Sequence, residues 1–581
     1  MPLATLIHRA SLPSPQVSAE QALELLKGHY GLSGRLQALG SQQDLNFRVD
    51  SDQGRFVLKI CRGDYSAQEL HAQHAGLKHL GEHPDVHVPR VTPAKNGADL
   101  LSMEVGGQPV HVRLLDYIEG QSLTHLDHLP GSVVAGFGRL CGEMDLALAG
   151  FEHPGLERTL QWDARHANAL IAHLLPVIND EQQRRLIADA AEQAERHLQP
   201  LVDKLPVQAI HMDITDDNVV WQRDSQRQWQ LQGVIDFGDL VRTWRITDLS
   251  VTCAALLHHA DGDPFYILPA VQAYHAVNPL THEELLALWP LIVARAAVLV
   301  LSGEQQVNID PGNEYSRDNL THEWEIFRVA TSVPLALMEA AILTSVGQNL
   351  PSIGSEGFAP LLPSLVGREF ALIDLGVLSP HFEAGNWGQE GVDQRLLTEA
   401  AAAHGLAASR YGQYRLSRTR PDSATEPDTC PLHVELRVPH GTTVESPFAG
   451  VVHQPAAGVL QLDGPQLSVR LWGVTPSLHT GAALVKGQVL GSVSGPLIVQ
   501  LCRGASFTAP LFCTPSRAAA WQALCPSPAV LLGLACDAEV ELDSQTLLTR
   551  RDASFARTQK HYYVDPPRIE RGWRNHLIDM Q

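Results

Sequence analysis

At about 150 residues per domain, a chain of 581 residues has room for three or four domains, and its 44% hydrophobic and 18% charged content excludes a disordered polymer. A formal charge of −21 argues against nucleic acid or an anionic membrane surface as the main partner. Eight cysteines without a C-x-x-C pair suggest neither a zinc knuckle nor a dense disulfide framework. The N-terminal run is broken by His8 and Arg9, so no signal peptide is expected. The longest apolar stretch, Leu291 to Leu301, contains Arg295 and is too short to span a bilayer. A cytoplasmic protein is expected.

Ser18, followed by Glu20 and Leu23, Leu25 and Leu26, reads as the cap of a first helix ending near Gly28 or Gly31. Two strand-like runs follow, Leu36 to Leu39 and Leu45 to Val49, joined by the turn Gly40-Ser41-Gln42-Gln43-Asp44. After Asp52-Gln53-Gly54, the run Arg55 to Ile60 places Lys59 in the polar phase of an apolar strand. Glu69, ten residues on, begins a helical segment and is in range to pair with Lys59. A solvated lysine and a surface glutamate are the alternative. Val110 to Ile118 completes a small β-rich lobe. From Ser132 the period becomes helical, with Phe137, Leu140, Cys141, Met144, Leu148 and Phe151 on one face. Further helices are expected over Gln182–Leu198, after Asp248, and over Pro264–Tyr274, His282–Leu301 and Thr321–Leu343.

Between these helices lies AIHMDITDDNVVW…GVIDFGD, from Ala209 to Asp239. Asp213 precedes Asn218 by five residues, and Asp236 follows in an apolar setting before Phe237-Gly238. Phosphoryl transfer from ATP needs one carboxylate at the acceptor hydroxyl, and an amide oxygen with a second carboxylate to hold Mg²⁺ on the phosphates. The protein-kinase catalytic loop has the same Asp–Asn spacing, and its metal Asp also stands before Phe-Gly.

The stretch resembles the Brenner motif and metal-binding Asp of the aminoglycoside phosphotransferase family, a kinase-like fold that includes choline, homoserine and hydroxylysine kinases. The resemblance implies a two-lobed α+β domain over 1–345, with an N-lobe over 1–118 and a C-lobe over 119–345. It implies Asp213 as catalytic base, Asn218 and Asp236 as Mg²⁺ ligands, and His211 as a brace for the loop. Met212 departs from the family, which usually has Gly there. Lys59 would reach the ATP phosphates with Glu69 as its partner, and Ser41 lies in the turn where a phosphate-covering loop belongs. Leu115 and Tyr117 sit where the family's lobe linker holds adenine, with plain core as the alternative. Asp248 would position the loop. His282, His322, Glu323 and Glu325 are candidate contacts to a cationic amine, the alternative being solvated helix residues.

Residues 346–428 are rich in Gly, Ser and Pro around an Ala/Leu helix (Arg395 to Leu406) and read as a connector. A small all-β domain follows over 429–510, opening with Leu432, Val434, Leu436 and Val438 alternating with His433, Glu435 and Arg437. PHGTTVESPFAGVV and LVKGQVLGSVSG resemble the core of lysostaphin-type zinc peptidases, which are related to lipoyl barrels. The positions that would hold or serve zinc carry Pro431, Glu435, Pro496 and Ile498, so no zinc and no hydrolysis are expected. His433 and Glu435 alternate outward on the strand in this reading. A helical linker is expected over 511–560, with helices over Ser516–Cys525 and Thr546–Ala556. HYYVDPPRIERGWRNHLIDMQ, 561–581, resembles the start of class-III pyridoxal-phosphate aminotransferases, or is a simple tail.

These features imply an ATP- and Mg²⁺-dependent kinase for the hydroxyl of a small amino alcohol of the ethanolamine, aminopropanol or hydroxylysine type. It would be coupled to a pyridoxal-phosphate phospho-lyase, without nucleic-acid or membrane partners, and with a homodimer as an allowed assembly. The alternatives are an aminoglycoside- or homoserine-type kinase, and a non-catalytic kinase-like scaffold carrying a binding β-module.

Overall fold

The first helix, Ala19–Leu25, begins at a capping box: the Ser18 side chain accepts the Gln21 N–H, and Gln21 returns the bond to Ser18. It widens into Leu26–Tyr30 and stops at Gly31, whose φ of +75° suits a residue without a Cβ. The computed structural model describes residues 15–40, 44–309, 312, 314–354, 357–382, 384–420, 422–504 and 507–534. Ser41, the helix expected over Thr546–Ala556 and the aminotransferase-like segment 561–581 lie outside the described residues. The chain divides after Gln348 into two compact units.

The first unit opens with a sheet of β1 (Gly34–Leu39), β2 (Leu45–Ser51), β3 (Gly54–Arg62), β4 (Val91–Thr92), β5 (Leu101–Val105) and β6 (Gln108–Asp116). The order is β1-β2-β3-β6-β4, with β5 also paired to β6, and every pairing is antiparallel. One face packs Phe47, Val49, Leu58, Ile60, Val112 and Leu114 against Leu25 and Leu26. Lys59, in the opposite phase of β3, emerges on the other face, toward the second lobe. The helix Ala67–Leu80 follows, capped reciprocally by Ser66 and Glu69.

Beyond β6, residues 117–120 lead into a helical lobe. The helices Gly131–Ala147 and Leu268–Val277 cross so closely that a Cβ on Gly138 would lie 1.9 Å from the Ala270 carbonyl oxygen. The central helix, His282–Ile309, is longer than expected. It is long and apolar enough to cross a membrane, but 83% of its most apolar window is buried, which makes it the core helix of this lobe. The single helix expected over Thr321–Leu343 is two, Glu314–Ala330 and Leu335–Ser345, bent by 83° at the break. Pro334 causes it, because the residue before a proline is driven out of the helical region.

Two short hairpin pairs present the motif residues. β7 (Val207–Ile210) pairs with β10 (Val241–Trp244), and β8 (Val219–Arg223) pairs with β9 (Trp229–Val234). Residues 211–218 thus form the β7–β8 loop, and residues 235–240 form the β9–β10 turn.

The second unit departs from the sequence reading. Residues 346–428 are not a plain connector: Ala371–Ile373 and Ala407–Ser409 extend the β-sheet through Val434–Arg437, and the helix Val392–His404 packs on that edge. The sheet continues through Val489–Arg503, Leu467–Pro476, Val459–Asp463 and Gly450–Ala456. Its core holds Val434, Leu436, Val444, Leu462, Val469, Leu471 and Val499. His433 and Glu435 do not face outward; both are buried, at 1% and 5% exposure. The segment read as a connector brings in Arg415, fully buried near Glu435 and 3.6 Å from Asp393, while His433 packs against Phe512 and bonds the Leu511 carbonyl. Glu435 and Ile498 are register partners on adjacent strands.

Candidate active site

The β7–β8 loop is held by its own backbone donors. Asp248, fully buried at the start of the helix Ile246–Leu256, accepts the His211 N–H at 3.1 Å and the Met212 N–H at 2.8 Å. His211 donates its Nε2 hydrogen to the Ile235 carbonyl at 3.2 Å, and its Nδ1 accepts the Asp213 N–H at 3.2 Å. Burial lowers the imidazole pKa to about 4, so the ring is neutral and its tautomer suits both bonds. Met212 adopts φ +74°, the left-handed region that glycine enters at least cost. Its side chain packs among Ile210, Val241, Leu160 and Trp162, which compensates for the backbone.

This bracing presents Asp213 to Asn218. The Asn218 amide donates to Asp213 Oδ2 at 2.6 Å and to the Asp213 carbonyl at 3.1 Å. Asp236 also has a positive φ, +60°, and heads the turn Phe237–Asp239 by accepting the Gly238 N–H at 3.1 Å. Lys59 arrives from the other lobe and donates to Asp236 Oδ1 at 3.2 Å, with Asp44 Oδ2 4.0 Å away. The structure therefore gives Lys59 other partners than the expected Glu69. The Glu69 carboxylate is engaged locally, accepting the Ser66 N–H at 3.2 Å in the helix cap. Leu115 is buried in β6 opposite Val57 and Val91. Tyr117, just beyond β6, donates its N–H to the Arg55 carbonyl.

The charges have distinct environments. Lys59 lowers the Asp236 carboxyl to about 2 against the opposing pull of burial. For Lys59, burial opposes the charge and Asp236 and Asp44 favour it, with a net upward shift. Asp213 is raised to about 8 by burial and by Asp239, with Asp236 and Asp217 adding to this and Arg295 opposing it. The site thus separates a carboxylate that stays ionised from a carboxyl poised near neutrality.

Two groups escaped sequence reasoning, Asp239 and Arg295. The only signal for Arg295 was one arginine interrupting an apolar run. Asp239 was visible in VIDFGD, and its pKa is raised by burial. Of the four candidate amine contacts, His282 hydrogen-bonds Gln348, and Glu325 pairs with Arg328. His322 stacks on His258, which with His259 bonds Asp216 in the β7–β8 loop. Glu323 lies within electrostatic reach of Arg295.

The donors suit a hard divalent cation. Asn218 uses its amide nitrogen on Asp213, and Asp236 uses Oδ1 on Lys59 and Gly238. This leaves Asn218 Oδ1 and Asp236 Oδ2 without a protein hydrogen bond among the described residues. Oxygen-only donors from an amide and a carboxylate fit Mg²⁺.

A sheet lobe supplying a buried lysine, and a helical lobe supplying Asp, Asn and a second Asp from two adjacent turns, define a kinase-like phosphotransferase. The chain belongs to the phosphotransferase enzyme family, whose model matches residues 35–288. Homoserine kinase of Methylobacillus flagellatus is 31% identical over 287 residues, covering 48% of this chain and 83% of that protein. Hydroxylysine kinase of Danio rerio is 24% identical over 332 residues, covering 54% of this chain and 93% of the relative. Among solved structures, a microcompartment-associated aminopropanol kinase covers 57% of this chain and 99% of its own, at 18% identity and a TM-score of 0.42. The amicoumacin kinase hAmiN covers 55% and 95%, at 15% identity and a TM-score of 0.43. The chain is a small-molecule phosphotransferase with an alcohol group as acceptor.

Proposed function

We propose that the first unit transfers the γ-phosphoryl group of ATP, with Mg²⁺, to the hydroxyl of a small amine-bearing alcohol. The contact of Lys59 with Asp236, 177 residues apart and joining the two lobes at 3.2 Å, carries this reading. Asn218 and Asp236 would hold the cation, which supplies charge neutralisation on the phosphates. Lys59 would exchange part of its contact with Asp236 for phosphate oxygens. Asp213, kept in place by Asn218, receives the hydroxyl proton as the new O–P bond forms and the bond from the γ-phosphorus to the bridging oxygen of ADP breaks. Leu115 and Tyr117 would line the adenine site.

The amine is read from the carboxylates around Asp213, namely Asp217 and Asp239, and from Glu323 near Arg295, which suit a cationic acceptor. Homoserine- and hydroxylysine-type acceptors are favoured over aminoglycosides by the identity of the relatives above. Coupling to a phospho-lyase rested on 561–581, outside the described residues, and forms no part of this proposal. The test is ADP release by the purified chain with Mg²⁺, ATP and a panel of amino alcohols, hydroxy amino acids and aminoglycosides. Acceptor-dependent turnover abolished in Asp213→Asn supports the reading; ADP release indifferent to every acceptor refutes it.

A further inference from the structure

Arg295 stands in the long apolar core helix His282–Ile309, where an arginine is costly to bury. Its guanidinium lies 4.7 Å above the Trp162 ring, and its Nη1 is enclosed without a hydrogen-bond partner. Asp213, Asp239 and Glu323 surround it closely enough to favour its charge against burial, yet no ion pair joins Arg295 to a carboxylate among the described residues.

Glu323, on the neighbouring helix Glu314–Ala330, mirrors this state. Its Oε2 is enclosed without a partner and rests against Gly303, where a Cβ would fall 1.8 Å from that oxygen. The missing side chain at Gly303 is what lets the carboxylate sit there. Burial raises the Glu323 carboxyl to about 8, with Arg295 opposing. A half-buried cation and a half-buried anion in mutual reach, each with an enclosed atom short of a partner, would normally close into one ion pair. Here Trp162 holds the one and the Gly303 notch the other, with Arg295 in electrostatic reach of both Glu323 and the base Asp213.

Two opposite charges held apart, each short of a partner, are the complement of a zwitterion. We propose that the acceptor is a hydroxylated amino acid, with Arg295 binding its carboxylate and Glu323 its ammonium group, so that the side-chain hydroxyl meets Asp213. A planar guanidinium offers a carboxylate two parallel hydrogen bonds, which a decarboxylated amino alcohol cannot use. This rests on the assignment of the first unit as a hydroxyl kinase. It adds that a carboxylate on the acceptor is a requirement of the site. An Arg295 that merely offsets neighbouring carboxylates would affect all acceptors alike, and that difference is measurable.

The experiment is steady-state ADP release by the full chain with matched pairs that differ by the carboxylate alone. These are L-homoserine and 3-amino-1-propanol, L-threonine and 1-amino-2-propanol, and 5-hydroxy-L-lysine and 1,5-diaminopentan-2-ol. In at least one pair the amino acid is expected to exceed its partner in kcat/KM by ~30-fold or more, since a site built for a polar group rejects the analogue lacking it. Arg295→Gln should bring that ratio to within ~3-fold, chiefly by raising KM for the amino acid. Arg295→Lys, which keeps the charge and loses the fork, gives the same reading if the first variant does not fold. Equal or better turnover of the amino alcohols overturns the inference and leaves the kinase standing. So does a ratio unchanged in a folded Arg295 variant. No acceptor-dependent turnover with any pair overturns the small-acceptor kinase reading, and the inference with it.

Discussion

The two units each bury a cation among carboxylates, and the difference between them separates the candidate active site from a structural cluster. In the first unit Lys59 meets Asp236, whose side chain keeps 43% of its surface exposed and retains free oxygen. In the second, Arg415 and Asp393 are 0% and 9% exposed, and His433 and Glu435, 3.5 Å apart, are 1% and 6%. Burial lowers the Arg415 pKa while Glu435 and Asp393 oppose it, and for Glu435 burial is outweighed by His433 and Arg415. Buried charge is common to both clusters. Access for a ligand belongs to the first, and the guanidinium supplies positive charge to the carboxylates of the second.

The largest expected effect tests the first side of that contrast. Asp213→Asn should lower kcat by ~10²–10⁴, the usual contribution of a general base, while Glu435→Gln leaves turnover within about twofold. Comparable losses in both variants would break the comparison. On the second side, Arg415→Met leaves Glu435 and Asp393 buried without their cation, which should cost ~3–5 kcal/mol. Urea unfolding of the full chain, followed by tryptophan fluorescence, would read it; an unchanged midpoint would mean the cluster is solvated.

The Asp236→Ala variant should lose most of the thermal stabilisation by Mg·ATP, which at 100-fold excess over Kd is ~2.7 kcal/mol for the wild type. Equal ligand-induced Tm shifts in both proteins would remove Asp236 from the metal site.

A smaller effect follows from Asp213 itself. Its folded pKa of about 8 lies above the ordinary 3.8, so the native state holds a proton that the unfolded chain has released. Stability therefore falls as pH rises from about 4 to about 8, and the cost is complete above that. Asp213→Asn, which mimics the protonated carboxyl, should gain ~2–8 °C in Tm relative to wild type between pH 5 and pH 9. A gain that is flat with pH would show that the carboxyl is ionised throughout. The smallest expected signal is zinc: elemental analysis of chain purified without chelators should find well under one ion, since Arg415 occupies the charge that a cation would need. One tightly held zinc per chain would reverse this.

Much of the first unit was legible because its signals are local. Ser18 caps a helix within three residues, Lys59 is placed by strand period, and Asp213 and Asn218 share one loop. Even the strain at Met212 was visible as a departure from glycine, although only the structure shows buried packing holding the left-handed backbone in place. The pairing of Lys59 with Asp236 rather than Glu69 was not legible, because both glutamate and aspartate have the right chemistry and distance along the chain does not rank them.

The sequence by itself determined the family, the lobes and the loop that carries Asp213, Asn218 and Asp236, because periodicity, capping and short spacings are properties of neighbouring residues. Tertiary structure alone decided which charges are short of a partner. Arg295 and Glu323 come from two helices, the one held over the Trp162 ring and the other against Gly303. Glu435 is buried beside Ser409 and Arg415 of a segment read as a connector, and His433 against Phe512. Desolvation governs both outcomes, and it depends on what covers a side chain from elsewhere in the chain rather than on its sequence neighbours.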